Sequence, residues 1–297
     1  ARFKDAGLNP DLAYRQQNLS AASPEMTAGE GSQPTDVSNL ANKRTIGDIV
    51  SKQGCEYLRS TLPSLKRELG ADIVIANGEN SAVGNGILPQ SAEFILDCGV
   101  DLITLGNHSL KRREIYDYLD SSAPIIRPAN YHSSAPGRGM EIIDKGFCKI
   151  AVINLQGAVY LDPIENPFSV IDKLTESAKD QGASIIIIDF HAEATAEKRA
   201  MGFYVDGKVS AIFGTHTHTQ TSDNQILPNG TGYITDIGMT GPYYSVLGVA
   251  PSCAIEKLKT GLPTRFVNED GVCVLEGCLF DIDEKSGKTV NTKLIRR

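Results

Sequence analysis

The five histidines of this chain constrain its fold more than any other residue type, because four of them stand where an apolar run ends. Val209-Ser210-Ala211-Ile212-Phe213 runs into Gly214-Thr215-His216-Thr217-His218. Leu102-Ile103-Thr104-Leu105-Gly106 runs into Asn107-His108, and Ile185-Ile186-Ile187-Ile188-Asp189-Phe190 runs into His191. Short apolar runs closed by Gly or polar residues read as buried strands. Histidines scattered through a core would not keep falling at strand exits, whereas side chains gathered at the carboxyl ends of strands are what an α/β site requires. In extended backbone, side chains at i and i+2 share a face, so His216 and His218 are expected to meet one centre. A satisfied pair of core histidines is the plainer alternative for His-x-His alone, and the other strand exits weigh against it.

A chain of 297 residues can bury a full core, as one large domain or two. Its 41% apolar and 22% charged residues are ordinary for a soluble globular protein. The net charge of −7 argues against general nucleic-acid binding, which needs basic surface, but allows a nucleotide neutralised by bound metal. No run approaches the roughly eighteen apolar residues of a membrane span, and the opening residues do not read as a signal peptide. The cysteines at 55, 98, 148, 253, 273 and 278 form no C-x-x-C pair. A chain this long needs no disulfide staples, so they are expected to be reduced thiols. The expected location is therefore cytoplasmic, with an organelle interior as the other reading.

Residues 1–44 are rich in Ser, Ala, Asn, Gln, Pro and Gly and poor in large apolar residues. They read as a polar N-terminal extension that cannot fold alone. It is expected to be held by packing, on the protein's own surface or as a contact in an assembly or homo-oligomer. The folded domain is expected over 45–297. Thr45-Ile46-Gly47-Asp48 reads as a short strand delivering a carboxylate, although Ala41-Asn42-Lys43-Arg44-Thr45 before it is polar. Cys55, Leu58, Leu62, Leu65 and Leu69 form one stripe of a helix, which Pro63 is expected to kink or split and Gly70 to close. Asp72-Ile73-Val74-Ile75-Ala76 reads as a buried strand ending in Asn77-Gly78-Glu79-Asn80. Further helices are expected near 90–98, over Lys111–Asp120, from Val170 to Gln181 and near 193–201. A hairpin is expected across Asp144-Lys145-Gly146. Strand–helix alternation early and hairpins late argue for two mixed sheets flanked by helices.

The residues at or just past strand exits are Asp48, Glu79, Asn80, Asn107, His108, His191, His216 and His218. They offer imidazole nitrogen and carboxylate or amide oxygen and no thiolate, a mixture that suits Mn, Fe or Zn. The donors outnumber what one tetrahedral ion takes. Two ions roughly 3.5–4 Å apart, bridged by a carboxylate and by hydroxide, would use them all. Such a pair generates a nucleophile from water and clamps the oxygens of an in-line phosphoryl displacement, while a nearby non-ligand His can protonate the leaving alkoxide. Each residue has a plainer reading. Asp48 could cap the following helix, Glu79-Asn80 could be a polar loop, and Asn107 could serve a turn. His132 is expected to be solvated, Lys111-Arg112-Arg113 to be an exposed helix face near the site, and Glu193 and Glu197 to be helix surface. The chain has no G-x-x-x-x-G-K-[ST], G-x-S-x-G, H-E-x-x-H or G-x-G-x-x-G motif.

Gly47-Asp48, Asn77-Gly78-Glu79-Asn80, Gly106-Asn107-His108, Asp189-Phe190-His191-Ala192-Glu193-Ala194-Thr195 and Gly214-Thr215-His216-Thr217-His218 together resemble the calcineurin-like metallophosphoesterases. Within them the chain looks like the YmdB-like branch of cyclic-nucleotide phosphodiesterases. Arg127-Pro128-Ala129-Asn130-Tyr131 and the run from Tyr233 to Pro242 look like that branch too, and the likeness extends from about Ile46 to the C-terminus. The wider superfamily usually opens on Asp-x-His; here Asp48 is followed by Ile49-Val50, as in this branch. Where the family tends to carry Thr-Trp-Asp after Gly-Asn-His, this chain has Ser109-Leu110-Lys111. The resemblance implies a four-layer α/β/β/α sandwich with a dinuclear centre of iron or manganese, with zinc as the other candidate. It implies Asp48, Glu79 and His218 on one ion with Asn80 nearby, Glu79 bridging, and Asn107, His191 and His216 on the second. His108 would face the leaving group. The implied activity is metal-dependent hydrolysis of 2′,3′- or 3′,5′-cyclic nucleotides or related small phosphodiesters by a metal-bridging hydroxide. The alternative is a structural or regulatory subunit of a larger assembly that keeps the fold with weak or no turnover.

Overall fold

A computed structural model describes residues 40–297. The expectation for the extension therefore lies outside the described residues as far as residue 39. Among the described residues the first strand is β1 (Leu40–Ile46), which starts earlier than Thr45. Its polar sequence is accommodated because it is a paired strand, antiparallel to β12 (Cys273–Asp283) and parallel to β3 (Ile73–Asn77). After β1 come β2 (Asp48–Ile49), α1 (Ser51–Glu68), β3 (Ile73–Asn77), α2 (Pro89–Asp97) and β4 (Leu102–Thr104). The expected helix over Lys111–Asp120 is only a turn of 3-10 helix at Arg113–Ile115 and α3 (Tyr116–Leu119).

The second half supplies β5 (Met140–Asp144), β6 (Lys149–Gln156), α4 (Pro167–Asp180), β7 (Ile185–His191), α5 (Thr195–Tyr204), β8 (Ala211–Thr215), β9 (Gln225–Ile226) and β10 (Gly232–Ile234). Then β11 (Met239–Pro242), α6 (Pro251–Thr260), β12 (Cys273–Asp283) and β13 (Thr289–Arg296) return to the first sheet. That sheet runs β2-β11-β12-β1-β3-β4, with β13 also on β12; the second runs β5-β6-β7-β8-β10-β9. Both are mixed, as expected: β5 and β6 form the hairpin, and β6, β7 and β8 run parallel.

Continuous apolar runs become strands covered on both faces, because each sheet has helices on one side and the other sheet on the other. In β3, Ile73 and Ile75 join Ile150, Val152, Ile185, Ile187, Phe213 and Phe280 between the sheets. Val74 and Ala76, the alternate residues, pack with Leu58, Leu62 and Leu65 of α1 and Ile95 of α2. In β7, Ile186, Ile188 and Phe190 turn outward to Ile171 of α4 and Met201 of α5. The result is α/β/β/α layering with an apolar layer at each junction. α1 runs unbroken through Pro63, which lies on its exposed side, where water can meet the carbonyl that proline leaves without a partner.

Gly47 marks a change of partner. Its N–H donates to Glu276 O at 3.0 Å, while Asp48 N donates to Gly238 O at 3.1 Å. The chain leaves β12 there and β11 enters between, so a Cβ at 47 would overlap the Gly238 backbone. That steric demand explains the glycine before Asp48.

Candidate metal centre

The parallel strands of both sheets point their carboxyl ends at one place. Asp48 lies just past β1, at the start of β2, Glu79 and Asn80 follow β3, and Asn107 and His108 follow β4, all on the first sheet. His191 ends β7, and His216 and His218 follow β8, on the second. The eight residues picked from sequence are brought together, with Asp48, Glu79 and His191 fully buried.

Two groups of donor atoms share Glu79. In the first, His191 Nε2 lies 3.0 Å from Glu79 Oε1 and 2.9 Å from Asn107 Oδ1, and His216 Nδ1 lies 3.0 Å from His191 Nε2. Ligand atoms of Glu79, His191 and His216 all fall within 4.8 Å of one another. In the second, His218 Nε2 lies 3.5 Å from Asp48 Oδ1, and Asn80 Nδ2 is 3.2 Å from His218 Nε2, 3.4 Å from Asp48 Oδ1 and 3.4 Å from Glu79 Oε1. Mixed imidazole and carboxylate donors within this spacing, on two groups joined by one carboxylate, fit a pair of ions.

His216 and His218 do not meet one centre through extended backbone. β8 ends at Thr215, and both histidines have positive φ, 97° and 58°. The resulting turn sends His216 towards His191 and His218 towards Asp48, so one His-x-His serves both groups. Positive φ is costly for residues with a Cβ, and the turn is held from behind. Asp236 Oδ2 accepts from Thr217 N at 3.2 Å, Thr217 Oγ1 at 2.8 Å and Lys198 Nζ at 2.6 Å, in an ion pair almost wholly buried.

His191 is oriented by a second buried set. Thr215 Oγ1 lies 2.9 Å from His191 Nδ1 and donates to Asp189 Oδ1 at 2.6 Å, and Asn77 Nδ2 donates to Asp189 Oδ2 at 3.3 Å. Such outer partners fix ring orientation at metal sites. A Cβ at Gly106 would overlap the His191 ring, so that glycine makes room for the imidazole. Sequence reasoning missed Asn77, Asp189, Thr215, Lys198 and Asp236. Asp189 left a signal, a carboxylate inside an otherwise apolar run; Lys198 on α5 left none.

Glu193 and Glu197 are not helix surface. Glu193 precedes α5 and its Oε2 lies 3.1 Å from His216 Nε2, while Glu197 accepts from Ala158 N at 2.8 Å and Val159 N at 3.2 Å. Arg112 is not a solvated helix charge either, since its guanidinium binds the carbonyls of Val83 and Asn85.

Burial would push the Glu79 carboxyl up, but His191 and His108 hold it well below the usual range. At Asp48 burial is likewise outweighed, by His218, and the pKa is lowered. Burial would lower His191, yet the Glu79 carboxylate raises it to about 9, whereas burial and the neighbouring His191 bring His216 down to about 4. The carboxylates are thus held anionic, as ligands of a cation must be, and a bound cation would take the place of the His191 proton. His108 turns Nδ1 to Asn80 Oδ1 at 3.2 Å, and its backbone N–H donates to Glu79 Oε2 at 2.8 Å. No described residue partners its Nε2. The centre opens into a cleft of about 1860 Å³ whose lining includes Ser51, Asn80, His108 and His218, and also Tyr57 and Phe266.

The sequence model of the family described as YmdB-like protein matches residues 45–295. A 2′,3′-cyclic-nucleotide 2′-phosphodiesterase of Bacillus subtilis is 43% identical over 250 residues, 84% of this chain and 94% of that one. A crystal structure of a novel phosphatase from Mycoplasma pneumoniae superposes with a TM-score of 0.82 at 34% identity, covering 87% of this chain and 94% of its own. A hypothetical protein from Thermus thermophilus superposes at 0.81 with 35% identity, over 86% and 98%.

Proposed function

Since the chain belongs to the YmdB-like family of calcineurin-like metallophosphoesterases, we propose that it is a dinuclear, metal-dependent phosphodiesterase acting on 2′,3′-cyclic nucleotides. The 3′,5′-cyclic nucleotides and other small phosphodiesters are its further candidate substrates. One observation carries the proposal: Asp48, Glu79, His191, His216 and His218, from strands of two different sheets, bring their donor atoms to two adjoining points that share Glu79. The name of the Bacillus subtilis relative supports the choice of the 2′,3′-cyclic class.

Asp48, Glu79 and His218 would hold one ion beside Asn80, and Glu79, Asn107, His191 and His216 the other, with iron or manganese the candidate metals and zinc the third. When bound, such ions activate water at neutral pH and neutralise the phosphoryl oxygens. The chain's own part is to orient and to move protons. Asp189, Thr215 and Asn77 hold the His191 ring, and Asp236 holds the turn carrying His216 and His218. His108 presents Nε2 to the cleft and gives its proton to the departing ribose oxygen, while Asn80 keeps Nδ1 in place.

Hydrolysis of 2′,3′-cyclic AMP and 3′,5′-cyclic AMP by purified protein loaded with Mn or Fe tests this. Metal-dependent turnover of the 2′,3′ ester is expected, with Glu79→Gln slower by more than about 100-fold, since even outer-shell partners cost 10–100-fold. Absence of metal-dependent turnover on any phosphodiester overturns the proposal.

A further inference from the structure

The start of α1 has donors that the fold leaves unused. Four N–H groups at a helix start lack intrahelical partners. Here Val50 N donates to Thr240 O at 2.9 Å and Ser51 N to Asn80 O at 2.9 Å. The N–H groups of Lys52 and Gln53 find none among the described residues. Val50 offers no side-chain cap, and the first turn holds no acidic residue. Ser51 is only 4% exposed, lines the cleft, and its Oγ has no hydrogen-bond partner among the described residues. Buried hydroxyls are ordinarily satisfied, so this one calls for a partner from the cleft.

Position says what that partner is. Ser51 is hydrogen-bonded to the backbone of Asn80, whose side chain lies between Asp48, Glu79 and His218. A group seated on Ser51 is therefore a neighbour of the metal donors. The orphan N–H groups and the positive end of an 18-residue helix favour an anion there. Lys52, exposed beside it, adds a full positive charge. Of the acidic residues of this wall, Glu56 is paired with Arg59, and Asp270 accepts from the Gln53 side chain, Nε2, at 2.6 Å, which leaves the Gln53 backbone N–H free among the described residues.

We infer that Ser51, Lys52 and Gln53 form a cradle for a non-bridging phosphoryl oxygen of the substrate. Ser51 Oγ and the two backbone N–H groups donate to the oxygen turned away from the ions, and Lys52 offsets its charge. The cradle sets which face of the phosphodiester meets the metal centre. It rests on the phosphodiesterase reading for its substrate, although the anion site itself does not.

Inorganic phosphate is the probe, titrated by calorimetry into the metal-loaded protein. Ser51 has a φ of 65°, so Ser51→Gly removes the hydroxyl while relieving backbone strain and should fold. Ser51→Asp puts a carboxylate over the same donors. Hydrogen bonds to charged groups are worth a factor of roughly 10 or more. The phosphate Kd is expected to rise ~10-fold in Ser51→Gly and further in Ser51→Asp, with metal content per chain equal to wild type. A Kd within about twofold of wild type in both variants, at full metal content, overturns the cradle. If the wild type cleaves no phosphodiester yet phosphate binding depends on residue 51, the catalytic reading falls and the cradle stands. If turnover is present and phosphate binding ignores residue 51, only the cradle falls.

Discussion

Glu79 is the residue on which both halves of the centre depend: its Oε1 is within 3.0 Å of His191 Nε2 and 3.4 Å of Asn80 Nδ2, while Oε2 takes the His108 N–H. His108 itself has a separable task. Because its ring contacts Asn80 and Glu79 only through Nδ1, His108→Asn should keep the metal content of the wild type. General-acid groups contribute typically 10²–10⁴-fold, so kcat should fall by about that factor. Metal analysis alongside steady-state kinetics checks this, and loss of metal together with activity would make His108 a ligand instead. Gly106 is a steric counterpart. In Gly106→Ala the new methyl meets the His191 ring, which has no free space to retreat into. Metal bound per chain should fall, and an unchanged stoichiometry would show that the ring is not held where the geometry places it.

Among the elements, α5 does most for the site without touching it. Lys198 reaches from that helix to Asp236, and Asp236 grips Thr217 between two histidines of positive φ. Removing one partner of a buried ion pair costs about 3–5 kcal/mol, because the other charge is left unpaired. Lys198→Met is therefore expected to lower the unfolding free energy by that order and to reduce metal content, by releasing the His216–His218 turn. Denaturant unfolding and metal analysis of the same preparation test both. Unchanged metal content in a destabilised variant would confine Lys198 to a structural part.

For the whole molecule, the centre joins two sheets. Asp48, Glu79, Asn80 and Asn107 come from one and His191, His216 and His218 from the other, so bound ions would tie the layers at the carboxyl ends of the strands. A ligand that binds only the folded state raises apparent stability by mass action. Chelation should thus lower Tm, and adding back Mn or Fe should restore it. A Tm indifferent to both would argue against ions bridging the layers. The opposite end has its own tie: Asp101 binds Lys66 Nζ at 2.9 Å, Val74 N at 2.8 Å and Lys145 Nζ at 3.0 Å, spanning α1, β3 and the β5–β6 turn. Burial raises the Asp101 pKa, but Lys66, Val74 N–H and Lys145 together lower it below its ordinary value. A lowered folded-state pKa gives stability that is present above the unfolded value, about 3.9, and lost as pH falls through the folded one. Asp101→Asn should destabilise by about 1–2 kcal/mol near neutral pH, the gap from wild type closing below about pH 4. A gap that does not narrow at all as pH falls below about 4 would contradict this.

The residues that the fold gathers at the candidate centre were legible in the chain itself. Strands covered on both faces must be continuously apolar, so the polar stretches after Ala76, Leu105, Phe190 and Phe213, which hold Glu79, Asn107, His191 and His216, announced themselves. The two mixed sheets flanked by helices followed from the same runs and from the late hairpins. Sequence alone did not show that His216 and His218 part company, because the φ of each depends on a clasp from Lys198 and Asp236, distant in the chain. It did not show Glu193 turning to His216, Arg112 pinned to the Val83–Asn85 carbonyls, or β1 holding a polar segment in the sheet, since each is decided by partners on other elements. Local patterning reports burial and backbone period; it is silent on which buried polar group faces which, and that pairing is settled only when the layers pack.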